Sequence, residues 1–343
     1  MRRRTLLIAA SPLIAPAVLV SPAAYGQVAD VQDPNEADSG GDLDPAVQSF
    51  LKLPGQKSFL IRVGSQGSLG QIAHNPTLQL FTASAFKTFV LGAYLRAVEN
   101  GLLDGNAQLP VDDRVRDFGS PVLLNLTGTT GARSVLEAMM AHSDNTATNL
   151  AMLSVDARRV RALVAQARLP RIIIPDSVRI FESYIFGAPP GTDLGWPGIV
   201  QAAEHPGPVH PLLNNVITLA GTARDFVAWY DQALNGDFFG RAETLVEFKR
   251  IHAMSDYLPR AIPANTVAYI KSGEAPDVAG FNAKSLAGQM VVATGRRDIP
   301  VSFCFITNWQ STAPDYRTVE TAFLLAVRTI LAGIKAVLTK QHA

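Results

Sequence analysis

Three short motifs stand in order along the chain: Ser84-Ala85-Phe86-Lys87, Ser143-Asp144-Asn145 and Lys271-Ser272-Gly273. Together they supply an acylatable serine, two candidate proton-transfer groups and a cationic strand edge beside which an anionic acyl substrate could lie. At average residue usage a Ser-x-x-Lys match arises by chance roughly once per chain of this size, and Ser49-Phe50-Leu51-Lys52 is a second one. The triplets are rarer, so all three in order by accident is on the order of one in a hundred. The ordered set carries the argument.

Ser84 and Lys87 lie three apart at a predicted helix start, so their side chains share one face. Free backbone N–H groups and the positive end of the dipole at a first turn would stabilise an oxyanion. Serine is a poor nucleophile until something takes its proton. Lys87 can do so only if burial or a neighbouring cation, Lys271 for example, depresses its pKa. Taken alone, the pair reads first as a helix cap followed by a surface lysine. Ser49-Lys52 is set aside because it precedes the first strand. Ser143-Asp144-Asn145 is either a helix cap or a site in which Ser143 relays a proton to a leaving nitrogen. In that site Asn145 holds Lys87 and an acyl-chain amide, and Asp144 satisfies local backbone groups. Lys271 ends a strand, where its ammonium can orient Ser143 and attract a carboxylate that Ser272 hydrogen-bonds. Gly273 lets another group approach the backbone closely.

The elements that must position these residues follow from periodicity. Lys57–Val63 alternates as a strand, with Leu69–His74 its partner across a glycine-punctuated turn. Helical spacing then runs from Phe86 to Val98, ended by Gly101. Helices are predicted at 132–141, 145–153, 156–169, 222–234 and 243–254. Strands follow at 266–272, 285–294 and 300–308, then a long apolar-striped helix at 315–339. Two strands early, three late and a helical insert describe an α/β lobe split by an all-α lobe. Cys304, the only cysteine, sits in an apolar strand and reads as buried; no internal disulfide can exist.

The first 26 residues read as an export signal: Arg2, Arg3 and Arg4, an apolar run from Leu6 to Val20 broken by Pro12 and Pro16, then a small-residue cleavage site before Gln27. Arg3-Arg4-Thr5-Leu6-Leu7 also resembles a twin-arginine signal. The run is too short and broken to span a bilayer comfortably. Loss of those three arginines turns the net charge of +1 into about −2. Residues 27–51 carry six acids and no base, an acidic disordered tether that the domain boundaries place at 27–45. From Lys52 onward 27 bases face 23 acids, too weak a balance for nucleic acid.

Phe81-Thr82-Ala83-Ser84-Ala85-Phe86-Lys87, Arg133–Ala138 leading into His142–Leu150, and the three late strands with their closing helix resemble the serine penicillin-recognising superfamily, most of all class A β-lactamases. The resemblance covers residues 46–343. It implies an α/β, β-lactamase-like fold: an antiparallel five-stranded sheet flanked by helices, with an all-α lobe inserted. The α/β lobe would be 46–82 plus 258–343 and the helical lobe 83–257. It also implies an exported, periplasmic or secreted monomer without metal, cofactor or membrane span. Its substrate would be a small β-lactam or a peptidoglycan-like molecule. Ser84 would be the acylated nucleophile, Lys87 and Ser143 proton-transfer groups, and Asn145, Lys271, Ser272, Gly273 and Glu274 substrate-binding. The N–H of Glu274 would complete an oxyanion hole with that of Ser84.

Class A members also place a glutamate on an Ω-loop to activate the deacylating water, with an asparagine four residues on. Glu182 fits, but Phe186 stands at the asparagine position. About 25 additional residues, among them Trp196, His205 and His210, precede the 222 helix; the two histidines lack a third metal ligand. Glu274 is a second departure, because a carboxylate there repels the carboxylate of a β-lactam unless it points away or pairs with a base such as Lys284. The expected activity is acyl-enzyme hydrolysis of β-lactams, with slow deacylation. Alternatives are a peptidase or esterase on the same fold, or a penicillin-binding or cell-wall-binding protein without turnover.

Overall fold

Alternating apolar residues at the two ends of the chain build one antiparallel sheet in the order β2-β1-β9-β8-β7. Its strands are β1 (Gln56–Val63), β2 (Gly70–His74), β7 (Val267–Val278), β8 (Phe281–Ala293) and β9 (Asp298–Gln310). The computed structural model describes residues 44–341 apart from 206, 208, 279 and 311–314. The expected export signal 1–26, its cleavage site and the tether before Asp44 lie outside the described residues. Gly64, at φ 78°, makes the turn out of β1 that a side chain would resist. β8 is buried along nearly its whole length, as a strand covered on both faces must be.

On one face, Phe59, Ile61, Leu286, Met290, Phe303 and Phe305 pack against α11 (Tyr316–Gln341) through Phe323, Val327, Ile330 and Ile334. α1 (Asp44–Leu51) completes this layer by inserting fully buried Phe50 among Phe59, Phe305 and Phe323, with ring centroids 5.3–5.7 Å apart. The expected disorder of the acidic segment therefore fails at residues 44–51. Its last eight residues form a helix because Val47, Phe50 and Leu51 find apolar partners.

The opposite face, through Leu60, Ala283, Ala287, Cys304 and Ile306, joins the core of the helical insert. That insert holds α2 (Lys87–Glu99), α3 (Ala132–Ala141), α4 (Asn145–Val155), α5 (Ala157–Gln166), α6 (Val178–Ile185), α7 (Gly195–Glu204), α8 (Ala223–Asn235) and α9 (Ala242–His252). α8 packs directly on β1, β8 and β9 and pairs Asp231 with Arg62 of β1 at 3.2 Å. It thus serves the sheet although the boundaries drawn from sequence put it in the helical lobe. Two short ladders also escape periodicity: β3 (Leu80–Phe81) with β6 (Ala220–Gly221), and β4 (Gln108–Val111) with β5 (Gly128–Gly131). At two to four residues each they are below the length at which alternation can be read. The architecture is the expected one, a five-stranded antiparallel sheet flanked by helices with a helical lobe inserted between β2 and β7.

Candidate active site

Ser84 sits in a 3-10 turn, Ala83–Phe86, that runs directly into α2. Ala83 before it has φ 45°, a left-handed conformation that costs a side chain about 1–3 kcal/mol. The turn is held from outside. Thr82 O accepts hydrogen bonds from Ala85 N at 3.2 Å and from Ser285 Oγ of β8 at 2.7 Å. Gly273 lies against it so closely that an added Cβ would fall 2.2 Å from Thr82 O and 2.8 Å from Ala85 N. Glycine is required there by contact, and the free edge of β7 is thereby laid beside Ser84.

At the first residue of α2, the fully buried Lys87 Nζ donates to Ser143 O (2.5 Å), Asn145 Oδ1 (2.7 Å) and Ser143 Oγ (3.3 Å). Lys271 Nζ, arriving from β7, donates to the same Ser143 Oγ at 3.0 Å and to Ser272 O at 2.8 Å. Burial brings the Lys87 pKa down to about 7, against the pull of Asp144, Asp117 and Glu182. Lys271 is lowered well below the ordinary lysine value by burial and then by Lys87. A hydroxyl that accepts from two lysines has its own proton directed away from both. Ser143 itself is in the left-handed region, φ 59°, on the turn between α3 and α4. That turn is fixed by Asp144, which caps α4 through Ala147 N (2.8 Å) and accepts from Val122 N (2.9 Å) and Leu123 N (2.8 Å).

Glu182 enters from α6. Asn145 Nδ2 donates to its Oε1 at 3.4 Å, linking it to Lys87 through a single side chain. Its carboxyl is also hydrogen-bonded to that of Asp117, a fully buried residue not singled out from sequence. Burial, then the Asp117 charge, raise the Glu182 pKa well above the usual carboxylate range. Asn149 of α4 holds both partners in place. Its Nδ2 donates to Asp117 Oδ2 (2.8 Å), and its Oδ1 accepts from Val178 N (2.9 Å) at the start of α6. Arg179 clamps the segment further, with two bonds to Asp193 (2.7 and 2.6 Å) and one to Asp113 O (2.6 Å). Phe186 follows as the C-cap of α6. Nothing in the stretch Arg116-Asp117-Phe118 has motif character, so the acid pair was not legible from sequence.

The strand edge beyond Lys271 carries a second cluster. Glu274 Oε2 is reached by Tyr257 Oη (2.7 Å), Tyr316 Oη (3.1 Å) and Lys284 Nζ (3.2 Å). Lys284 faces Glu274 across the β7–β8 register, is fully buried, and also donates to Glu320 Oε1 at 2.9 Å and Ser272 Oγ at 3.3 Å. It stands 3.8 Å over the Tyr257 ring. Burial favours the protonated Glu274 carboxyl, but Lys284 and the tyrosine hydroxyls outweigh it and bring its pKa down to about 2. Glu274 pairs with the base that the sequence offered. Glu320, on the apolar stripe of α11, was the readable hint of a buried partner.

Among the described residues no group of three His, Cys, Asp or Glu side chains gathers as metal ligands. His210 stacks on Tyr184 at 4.2 Å, and His205 caps α7. Cys304 is buried in β9, where burial pushes its thiol pKa up.

Residues 43–280 match the model of the beta-lactamase enzyme family. The chain belongs to that family. Its fold agrees with it. TLA-3 extended-spectrum β-lactamase superposes with a TM-score of 0.65 at 13% identity, over 87% of this chain and 98% of that one. PBP-A, in a variant captured as an acyl-enzyme with penicillin G, gives 0.62 at 16% identity over 86% and 96%. A β-lactamase from Sphaerobacter thermophilus gives 0.63 at 18% identity over 85% and 94%. No curated protein matches the sequence. The chain is a serine β-lactamase-like hydrolase by family.

Proposed function

We propose that the protein is an exported serine acyl-hydrolase that acts through an acyl-enzyme at Ser84, with β-lactams as the leading substrate class. The observation that carries this reading is the convergence of Lys87 and Lys271 on Ser143 Oγ, one helical turn from the serine. Ser84 Oγ attacks the carbonyl carbon and its proton passes to Lys87, whose pKa of about 7 leaves a large fraction neutral. As the C–N bond breaks, Ser143 gives its outward proton to the leaving nitrogen and recovers one from Lys87. Water, deprotonated by Glu182, then attacks the ester carbon and Ser84 leaves with a proton. The capture of penicillin G by PBP-A supports this reading.

Intact-protein mass spectrometry with a slow β-lactam should show one adduct, absent in Ser84→Ala. An adduct surviving that change, or mapping to Ser49, overturns the assignment. Turnover of a chromogenic cephalosporin, set against a stoichiometric burst, separates a hydrolase from a protein that acylates once. The non-turnover reading is favoured by Phe186 and by the Asp117–Glu182 pair, both of which hinder deacylation.

A further inference from the structure

The Glu274 cluster has the composition of an anion site whose occupant belongs to the chain itself. Lys284 Nζ, Tyr257 Oη and Tyr316 Oη all converge on one carboxylate oxygen, Glu274 Oε2. Ser272 Oγ, the hydroxyl expected to bond a substrate carboxylate, accepts from the same Lys284 Nζ at 3.3 Å, which places it beside Glu274. The charges also balance. Lys284 and Arg260 stand against Glu274 and Glu320, with Arg260 bound to Glu320 Oε2 at 3.2 Å. Exposure breaks that symmetry in a definite direction. The Lys284 side chain has no exposed surface, whereas 41% of the Glu274 side chain is exposed. A ligand lying along β7 therefore meets the carboxylate and not the ammonium. Lys271 Nζ donates to Ser143 Oγ and Ser272 O.

We propose that Glu274 sets substrate selectivity by filling the carboxylate position beside Ser272, so that the enzyme takes acyl substrates uncharged at that position. The inference deepens the acyl-transfer reading above and rests on it. A substrate carboxylate finds Lys284 and the two tyrosine hydroxyls already donating to Glu274, and a like charge in front of them. A neutral amide or ester loses nothing there. Tyr257 and Tyr316 are positioning residues, holding Glu274 through their hydroxyls. The low pKa of Glu274 keeps it ionised at neutral pH.

Benzylpenicillin and its methyl ester differ in this charge and in one methyl group, and the methyl is common to every variant compared. Second-order acylation rates for both should be measured on the wild type, Glu274→Gln and the smaller Glu274→Ser. The wild type should acylate with the ester at least as fast as with the acid. The acid-to-ester ratio should rise about tenfold on loss of the Glu274 charge. The ratio is insensitive to any uniform loss of activity. A wild type that prefers the acid, or a ratio unmoved in both variants, overturns the proposal. Calorimetric binding of the same two compounds to Ser84→Ala, with and without Glu274→Gln, needs no serine chemistry. If no adduct forms at Ser84 the acyl-transfer reading fails, while the binding ratio still decides the role of Glu274.

Discussion

Lys87 is fully buried near several carboxyl groups, and the two effects oppose one another: burial favours the amine, while the charges of Asp144, Asp117 and Glu182 favour the ammonium. Burial wins by enough to bring the pKa to about 7. With the neutral amine of Lys87 as the proposed base, the rate of acylation at Ser84 should rise with pH through a midpoint near 7. A flat pH profile from 5 to 9 would exclude Lys87 as the proton acceptor. Glu182 behaves in the opposite sense to an ordinary carboxylate. It faces Asp117 from the loop, Lys87 from α2 and Asn145 from α4, and burial with the Asp117 charge holds its proton. Protonated, it is no base, so deacylation should increase with pH as that proton leaves. Asp117→Asn removes a like charge, lowers the Glu182 pKa and should move the deacylation midpoint to lower pH. An unmoved midpoint would separate Asp117 from the reaction. Glu182→Gln should slow deacylation and leave acylation less affected. Phe186 can neither donate nor accept the bond an asparagine would give the water, a misplacement worth about a hundredfold in rate. Phe186→Asn should recover part of it in the decay of the acyl-enzyme.

At the scale of elements, the site depends on three pieces of backbone brought edge to edge: the turn before α2, the α3–α4 turn and the free edge of β7. Gly273 is the tightest of these contacts, with space for no side chain against Thr82 O. Gly273→Ala must push β7 from the Ser84 turn, and a displacement near 1 Å costs roughly a hundredfold in acylation. Burst kinetics beside a melting curve would distinguish this from simple unfolding. Arg179 does the same for α6. Its buried guanidinium joins Asp193 and the carbonyls of Asp113 and Arg116, which fastens the segment bearing Glu182 at both ends. Arg179→Ala leaves those partners unsatisfied and should cost about 3 kcal/mol. Deacylation should fall more than acylation, because Ser84 and Lys87 are held by other elements.

Across the whole molecule, one sheet is shared by two cores. The apolar face toward α11 and α1 carries none of Ser84, Lys87 or Ser143, although α11 lends Tyr316 and Glu320 to the Glu274 cluster. Phe50 is the test of what that face adds to stability, since it is fully buried among three phenylalanine rings. Phe50→Ala should destabilise by about 3–5 kcal/mol in denaturant unfolding, with the acylation rate of the folded fraction unchanged. A loss below about 1 kcal/mol would mean that α1 is dispensable. The export signal read from Arg2–Val20 is checked separately. The mature chain should begin near Gln27 and be recovered outside the cytoplasm, and a cytoplasmic protein that keeps Arg2–Arg4 would refute it.

Local order was enough for much of this. Ser84 with Lys87 three residues on, Ser143-Asp144-Asn145 at a helix start and Lys271-Ser272-Gly273 on a strand are covalent spacings, and repeating elements reveal themselves within a dozen residues. Hence the main strands and the long helices around them follow from the amino-acid order alone, within about three residues at most ends; β7 runs six residues past the expected end at 272 and β8 begins four before 285. α1, α6 and the paired short strands did not, because a helix or ladder of a few residues is held by contacts made elsewhere, as Phe50 shows. The acid pair belongs to tertiary structure for the same reason: Asp117 and Glu182 lie 65 positions apart in the numbering and carry no pattern. Whether Glu274 repels or is restrained was likewise a question of distance to Lys284, Tyr257, Tyr316 and Glu320. Charge and hydrogen bonding act through space over a few ångströms, and only the folded chain decides which side chains come that close.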